Sequence, residues 1–388
     1  MHTGKFAKTN PEGATMNPEE LFCPNIDCPA RAQTGKGNIT IHSQQEKRCY
    51  CQICDKTFSV RKGTLFYRLR TDPQIVMWVV VLLAYGCPLQ AIVHAFGFDE
   101  RTVKKWWQRA GAHCQGVHET VVASQTLDLQ QVQADEIKVK IQGGSIWMAM
   151  AMMVPTRLWL GGVISPHRDK ALIQSLTDWV RKMALYRPLL LAVDGLPGYV
   201  KAFGRSFRSK IPRLGRQGRS KWHVWTEVAI VQVMKRRLPT GLQIERRVAQ
   251  GNPEQVAGLI AATQNGSGKI NTAYIERLNA TFRAHLAWLS RRTRHLAQHS
   301  ATLTAGMFVT GCFYNLCDAH HSLRCRLSVG EFGHRWIKRT PAMAAGLTDH
   351  IWTVDELLMY RVPPPRWTPP KRRGRPTKEV LQLVKRWC

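Results

Sequence analysis

The sequence predicts an α+β chain of several domains, on three observations. Cysteines are paired at short spacings near one end, apolar helical segments with end signals follow them, and alternating strand-like runs with a helical stretch and a short apolar run fill the middle. At 388 residues the chain is long enough for two or three domains, and 44% hydrophobic residues can build real cores, which excludes disorder throughout. The longest apolar run, Ile75 to Tyr85, falls short of the ~20 residues that span a bilayer and is followed by Gly86 and Pro88. The opening MHTGKFAKTN has no hydrophobic signal segment, so the expectation is a soluble cytoplasmic protein without a membrane partner.

Lys and Arg number 56 against 26 Asp and Glu, a formal charge of +30. Cations that neutralise phosphates release condensed counterions, which makes nucleic acid the default partner of so basic a chain. An anionic membrane surface is the rival, but no basic amphipathic helix stands out to serve it.

Residues 1–20 read as a flexible start. The chain has 11 cysteines, an odd number with no export signal, which argues against a disulfide framework. Cys23 and Cys28 form one close pair, Cys51 and Cys54 a second, with residues 29–50 between. Zn2+ takes thiolates from two short turns that approach each other, so residues 21–65 read as a zinc ribbon with Ile39, Thr40 and Ile41 on a strand. Cys49 is a competing ligand and His42 a weaker one.

Residues 73–118 read as three helical segments, Gln74–Tyr85, Leu89–Phe96 and Asp99–Ala110, the last opening on a capping Asp99. The third carries Arg101, Lys104, Lys105 and Arg109 beside Trp106 and Trp107. A helix-turn-helix has this pattern, its last helix entering the major groove while the cations hold phosphates. A three-helix bundle with a solvated basic face has it as well.

In residues 128–325 acidic residues are scarce, so those among strand signals are informative. Gln131–Ile141 alternates like a strand with Asp135 and Glu136 in its middle, Gly143 and Gly144 turn the chain into a second run, and Arg157–Ile164 gives a third. Asp169–Met183 has helical periodicity, and Pro188–Val193 is a buried strand that ends at Asp194 before Gly195. Three antiparallel strands, a helix and a parallel fourth strand is an RNase H-like order, a mixed sheet with flanking helices. Asp135 and Asp194 would lie side by side if the first and fourth strands are neighbours. The third acid, Glu276, stands alone in the basic stretch Asn271–Arg294, where Ile275, Leu278, Phe282, Leu286 and Leu289 mark a core stripe and Glu276, Asn279 and Arg283 its edge.

These residues resemble a family. The stretch IERLNATFR followed by AHLAWLSRRTR resembles the Glu-bearing helix of DDE-type transposases, CQICDKTF resembles the second half of a zinc motif, and AVDGLPGY resembles the segment around a second catalytic Asp. The branch they are most similar to is the insertion sequence one family, over roughly residues 20 to 325. The resemblance implies a bacterial, nucleoid-associated transposase with the triad Asp135, Asp194 and Glu276. It also implies terminal inverted repeats and target DNA as double-stranded partners, and at least a homodimer to pair two ends. Whether Asp135 or Glu136 is the first ligand rests on family position alone.

In-line displacement at a phosphodiester puts charge on the attacking and leaving oxygens, which two Mg2+ or Mn2+ ions held by three carboxylates would stabilise. Expected DNA contacts beyond the third helix are Arg205, Arg208, Lys210, Arg213, Arg216, Arg219 and Lys221, an acid-free run broken by Gly and Pro. Trp222 and His223 after it read either as bases' stacking partners or as core aromatics. Asn279, Arg283, Arg291 and Arg292 on the Glu276 stretch join the expected contacts. Residues 326–362 read as a small helical unit with a capping box between Thr353 and Glu356. Residues 363–388 read as a Pro-rich basic tail in which Arg373 and Arg375 form an AT-hook-like RGRP, or simply an unstructured cationic tail. Two other functions fit the same features, an RNase H-fold nuclease or resolvase and a non-catalytic zinc-ribbon and helix-turn-helix repressor.

Overall fold

The structure, a computed structural model, describes residues 17–211, 220–239, 241–263, 269–290, 299–329, 333–369, 374 and 376–388. It is α+β, and its contacts divide the chain into two compact units, Met1–Leu69 with Met359–Cys388, and Arg70–Leu358. Among the described residues no helix is long and apolar enough to cross a membrane. Residues 1–16 of the expected flexible start, and Arg213, Arg216, Arg219, Arg291, Arg292, Arg373 and Arg375 among the expected DNA contacts, lie outside the described residues.

The first unit carries an antiparallel sheet of β1 (Ile39–Ser43), β2 (Arg48–Cys51) and β3 (Lys56–Ser59). Strand alternation puts Cys49 and Cys51 on one face of β2, where both are buried. Leu21, Ile39 and Phe58 join the cysteines in a small core. The far end of the chain completes that core. Thr377 accepts a hydrogen bond from the Val380 N–H and caps a helix over Lys378–Trp387, which sets Trp387 among the cysteines. The stretch read as a plain tail therefore closes in a packed helix, because Val380, Leu383, Val384 and Trp387 share one face of it. The Pro- and Arg-rich composition just before it hides that periodicity.

The second unit opens with α1 (Pro73–Ala84), α2 (Leu89–Phe96) and α3 (Glu100–His118), the first and third capped by Asp72 and Asp99. The third helix runs past Ala110, its expected end, because Val103, Trp106, Trp107, Ala110, Cys114 and Val117 continue a buried stripe against the helix Ser300–Cys312. Gly111 permits that approach, since a Cβ there would lie 2.3 Å from the Ala305 Cα.

After this come β4 (Gln131–Ile141), β5 (Gly144–Met153), β6 (Leu158–Ser165), α4 (Lys170–Met183), β7 (Leu189–Asp194) and α5 (Pro197–Ser206). They are followed by a small hairpin, β8 (Arg208–Ile211) with β9 (Lys221–Val224), and by the long hairpin β10 (Val228–Leu238) with β11 (Gly241–Gln250). Then come α6 (Pro253–Thr263), α7 (Ala273–His285), α8 (Ser300–Cys312), the hairpin β12 (Cys325–Val329) with β13 (Gly333–Ile337), α9 (Pro341–Ala344), α10 (Val354–Met359) and α11, the capped C-terminal helix Lys378–Trp387.

Six strands form one mixed sheet in the order β11-β10-β7-β4-β5-β6. The β4, β5 and β6 strands are an antiparallel meander, whereas β7 runs parallel to β4 and β10 parallel to β7. Helices α4, α6, α7 and α8 pack on this sheet. Leu189 to Val193 of β7 are fully covered, as a strand buried on both faces requires.

Three further differences from the sequence expectation have physical causes. The run from Arg205 to Lys221, expected as an irregular arm, begins in α5 and continues into β8, and its far end is in β9. The Glu276 helix ends at His285, because Leu286 turns to extended backbone and buries itself and Leu289 through a short 3-10 turn. Residues 326–362, expected as helical, include β12 and β13 before two short helices. The capping box there has formed, with the Glu356 N–H donating 3.1 Å to the Thr353 hydroxyl and the Thr353 N–H donating 3.4 Å to the Glu356 carboxylate.

Candidate active site and metal centres

The parallel register of β4 and β7 brings two acids together. Ala134 pairs with Val193, so Asp135 and Asp194, one residue further along each strand, fall side by side at the point where the pairing ends. Asp194 is fixed by accepting a 2.9 Å hydrogen bond from the Leu196 N–H, an Asx turn that opens α5. Gly195 lets β10 come close, since a Cβ on it would lie 2.6 Å from the Met234 side chain.

Helix α7 is held to the same place by a residue that the motifs do not announce. Gln133, buried on β4, accepts from the Tyr274 and Ile275 N–H groups at 3.1 and 3.0 Å, so a strand side chain caps the helix. Its amide also donates 2.8 Å to the Asn271 carbonyl. This capping sets Glu276 and Asn279 beside β4. Asn279 donates a 2.8 Å hydrogen bond to Asp135 Oδ2 and is 1% exposed. Asn279 is therefore not on an open DNA-facing surface, contrary to its expected role, because the core stripe of α7 is wide enough to include it.

A cavity of about 480 Å³ is lined by Asp135, Asp194 and Glu276, together with Arg168, Lys235 and Thr272. Carboxylate oxygens of Asp135, Glu136 and Asp194 lie within 4.8 Å of one another, an arrangement that could hold a metal ion. Glu276 lies outside that close group. Its carboxylate pairs with Lys235 and accepts a 2.7 Å hydrogen bond from Thr272. Arg168 bridges Asp194 and Glu136 at 3.2 and 3.3 Å, and its guanidinium lies 5.0 Å from the Trp147 ring centroid. Neither Arg168 nor Lys235 is signalled by a motif, and only the scarcity of acids in this region hints that each would have a cationic partner.

Burial pushes the Asp135 carboxyl up to about 6, and the charges of Asp194 and Glu276 add to the effect. Burial likewise pushes Glu136 up to about 7 even though Arg168 opposes it. One Glu136 oxygen and the Tyr199 hydroxyl are buried with no hydrogen-bond partner among the described residues. A cluster of acids this reluctant to ionise, with an orphaned oxygen, suits an added divalent cation of the oxygen-seeking kind. Asp135 faces the cavity that Asp194 and Glu276 share, whereas the Glu136 side chain is fully covered.

The second candidate centre is in the first unit. The Sγ atoms of Cys23, Cys28, Cys51 and Cys54 lie within 4.8 Å of one another, with Cys23–Cys54 at 3.6 Å and Cys28–Cys51 at 3.9 Å. Tetrahedral zinc with bonds of about 2.3 Å places its sulfurs about 3.8 Å apart, so this group could bind zinc. Burial pushes the Cys23 and Cys28 thiols up, and neighbouring thiolates add to the effect. A dication at the centre would remove both costs. Cys49 is buried in the same core but lies outside the four-sulfur group, and His42 is exposed on β1.

Of the other expected contacts, Arg101 and Lys105 are exposed on α3, whereas Lys104 is paired at 2.6 Å with Glu100 and Arg109 is half-buried. Arg205, Lys210 and Lys221 are exposed, Arg208 is half-buried, and Arg283 acts on Asp135 by its charge. Trp222 is 51% exposed, with Arg208 and Lys210 lying 4.5 and 5.0 Å from its ring centroid. The core aromatic of that hairpin is Trp225 instead. No family model matches the chain, and no curated protein matches it.

Proposed function

We propose that the chain is a DDE-type transposase that cleaves DNA at the ends of its own element and joins those ends to target DNA. The observation that carries this is the parallel pairing of β4 with β7, which sets Asp135 beside Asp194 on a cavity that Glu276 also lines. The strand order β6-β5-β4-β7-β10, a meander followed by two parallel strands, supports reading the sheet as RNase H-like, as expected of such an enzyme.

In this reading Asp135, Asp194 and Glu276 would hold divalent ions, Mg2+ or Mn2+. Bound there, these ions would stabilise the charge that develops on the attacking and leaving oxygens. Asn279 orients Asp135, and Thr272 orients Glu276. Arg168 and Lys235 border the cavity as cations and would meet the non-bridging oxygens of the scissile phosphate. The four-cysteine unit would be a zinc ribbon and α1–α3 a helix-turn-helix, with Arg101 and Lys105 of α3 reaching the duplex. Exposed cations of the β8–β9 hairpin extend the basic surface. Pairing two element ends would take at least two copies of the chain.

The test is strand transfer by the purified protein with Mg2+ or Mn2+ on labelled DNA from the borders of its gene, with Asp194→Asn alongside. Joined products from the wild type alone are expected. Cleavage without joining would favour a nuclease, and binding without cleavage a repressor.

A further inference from the structure

The first unit has a cavity of about 460 Å³ that none of the preceding roles uses, lined among others by Arg48, Arg61, Lys62 and Arg68 with Thr57 and Ser59. No acid lines it, and no ion pair is formed by any of the four cations among the described residues. Four like charges around so small a space repel one another unless an anion sits between them.

The wall is also fixed in advance. Arg48 on β2 donates to the Thr57 hydroxyl on β3, which holds its guanidinium along the sheet. The turn carrying Arg61 and Lys62 is tied by the Arg361 guanidinium, which donates 2.9 Å to the Val60 carbonyl, and by the Val362 N–H, which donates 3.1 Å to the Gly63 carbonyl. Gly63 has φ of 93°, and a Cβ there would come within 3.1 Å of the Val362 carbonyl oxygen, so the clamp depends on glycine. Arg68 adopts φ of 59°, an unfavourable conformation for an arginine, and its guanidinium lies 5.3 Å from the Tyr67 ring centroid. A hydroxyl that holds Arg48, a clamped turn beneath Arg61 and Lys62, and the fixed backbone of Arg68 set the wall before a ligand arrives, as preorganised recognition of an anion requires.

We infer that this cavity seats phosphates of the DNA backbone, binding duplex without regard to sequence and anchoring the four-cysteine unit while base recognition occurs elsewhere. The inference rests on the DNA reading above and adds a site to it. Backbone contacts carry no sequence information, and neutralising phosphates makes binding fall steeply with salt.

The experiment measures binding of a short labelled duplex of arbitrary sequence by the full chain as salt is raised. The variant replaces Arg48, Arg61, Lys62 and Arg68 by Gln, and bound zinc is measured to verify the fold. Losing four phosphate contacts should flatten the slope of log K against log salt by about 3.6. Over a fourfold rise in salt the variant should therefore lose about 100-fold less affinity than the wild type. Should the fourfold variant misfold, Arg61→Gln with Arg68→Gln, both exposed, should flatten the slope by about 1.8. An unchanged slope in a zinc-loaded variant overturns the inference and leaves the transposase reading standing. Binding of inorganic phosphate lost in the variant, with the duplex slope unchanged, would place a free anion there and overturn it too. A wild type that binds no duplex overturns both readings.

Discussion

Asn279 donates its amide to Asp135 across 2.8 Å, so a buried residue of α7 grips the carboxylate of a neighbouring strand. This contact links two elements that sequence separates by more than a hundred residues, and it leaves one Asp135 oxygen bonded to the Glu136 N–H. Asn279→Ala would free the carboxylate to rotate while leaving exposed cations untouched. On the transposase reading, strand cleavage should fall about 10- to 100-fold with duplex affinity unchanged, the pattern of a residue that orients a ligand. Equal loss of binding and cleavage would assign Asn279 to DNA contact instead.

The raised carboxyls of Asp135 and Glu136, at about 6 and about 7, give stability a pH dependence of definite sign. The folded chain keeps protons that the unfolded chain gives up from about pH 4, so these two groups cost stability as pH rises through about 7. Glu136→Gln mimics the protonated acid. In protein stripped of divalent ions it should raise Tm on the order of 5 °C near pH 8 and leave it almost unchanged near pH 5. Thermal melts at the two pH values decide this, and an equal shift at both would show that the ionised carboxylate costs nothing.

The elements that build the candidate site were legible because their signals are local. Alternation marked β4, the Asp-Gly step marked the end of β7, and the isolation of Glu276 marked α7. Arg168, Lys235, Thr272 and Gln133 were not legible, since each acts on an acid or a helix end that only the fold brings near. The β10–β11 hairpin was missed for a related reason. Half of β10 is buried between β7 and β11, whereas Lys235 to Leu238 extend past β7 into exposed backbone, so its period changes midway. The C-terminal helix was missed because composition upstream masked its stripe, which becomes meaningful only once Trp387 has a cysteine-lined core to enter.

That core gives a prediction about metal. Only Cys23, Cys28, Cys51 and Cys54 bring their sulfurs within 4.8 Å of one another among the described residues of this unit, so Cys49→Ser should retain one zinc per chain. Cys51→Ser with Cys54→Ser should retain none and should expose Trp387 to solvent quenchers, because the same small core depends on the knot. Loss of zinc in the Cys49 variant would place that sulfur in the coordination sphere.

Trp222 offers the last prediction. Its ring is half exposed on β9, cross-strand from Lys210, and neighbours Val224 and Ile211 are exposed as well. A two-stranded hairpin gains little from burial when almost every side chain faces water. An aromatic face flanked by two cations is instead suited to a nucleobase lifted from its stack, with the cations on the adjoining phosphates. Stacking is worth about 1–3 kcal/mol per base, so Trp222→Ala should weaken binding of single-stranded DNA by about 5- to 150-fold while Trp222→Phe keeps most of it. Stacking carries no charge, so the salt slope should not change in Trp222→Ala, whereas Arg208→Gln with Lys210→Gln should flatten it. Anisotropy titrations over a range of salt separate the two effects, and a flattened slope in Trp222→Ala would mean that the ring only props the cations.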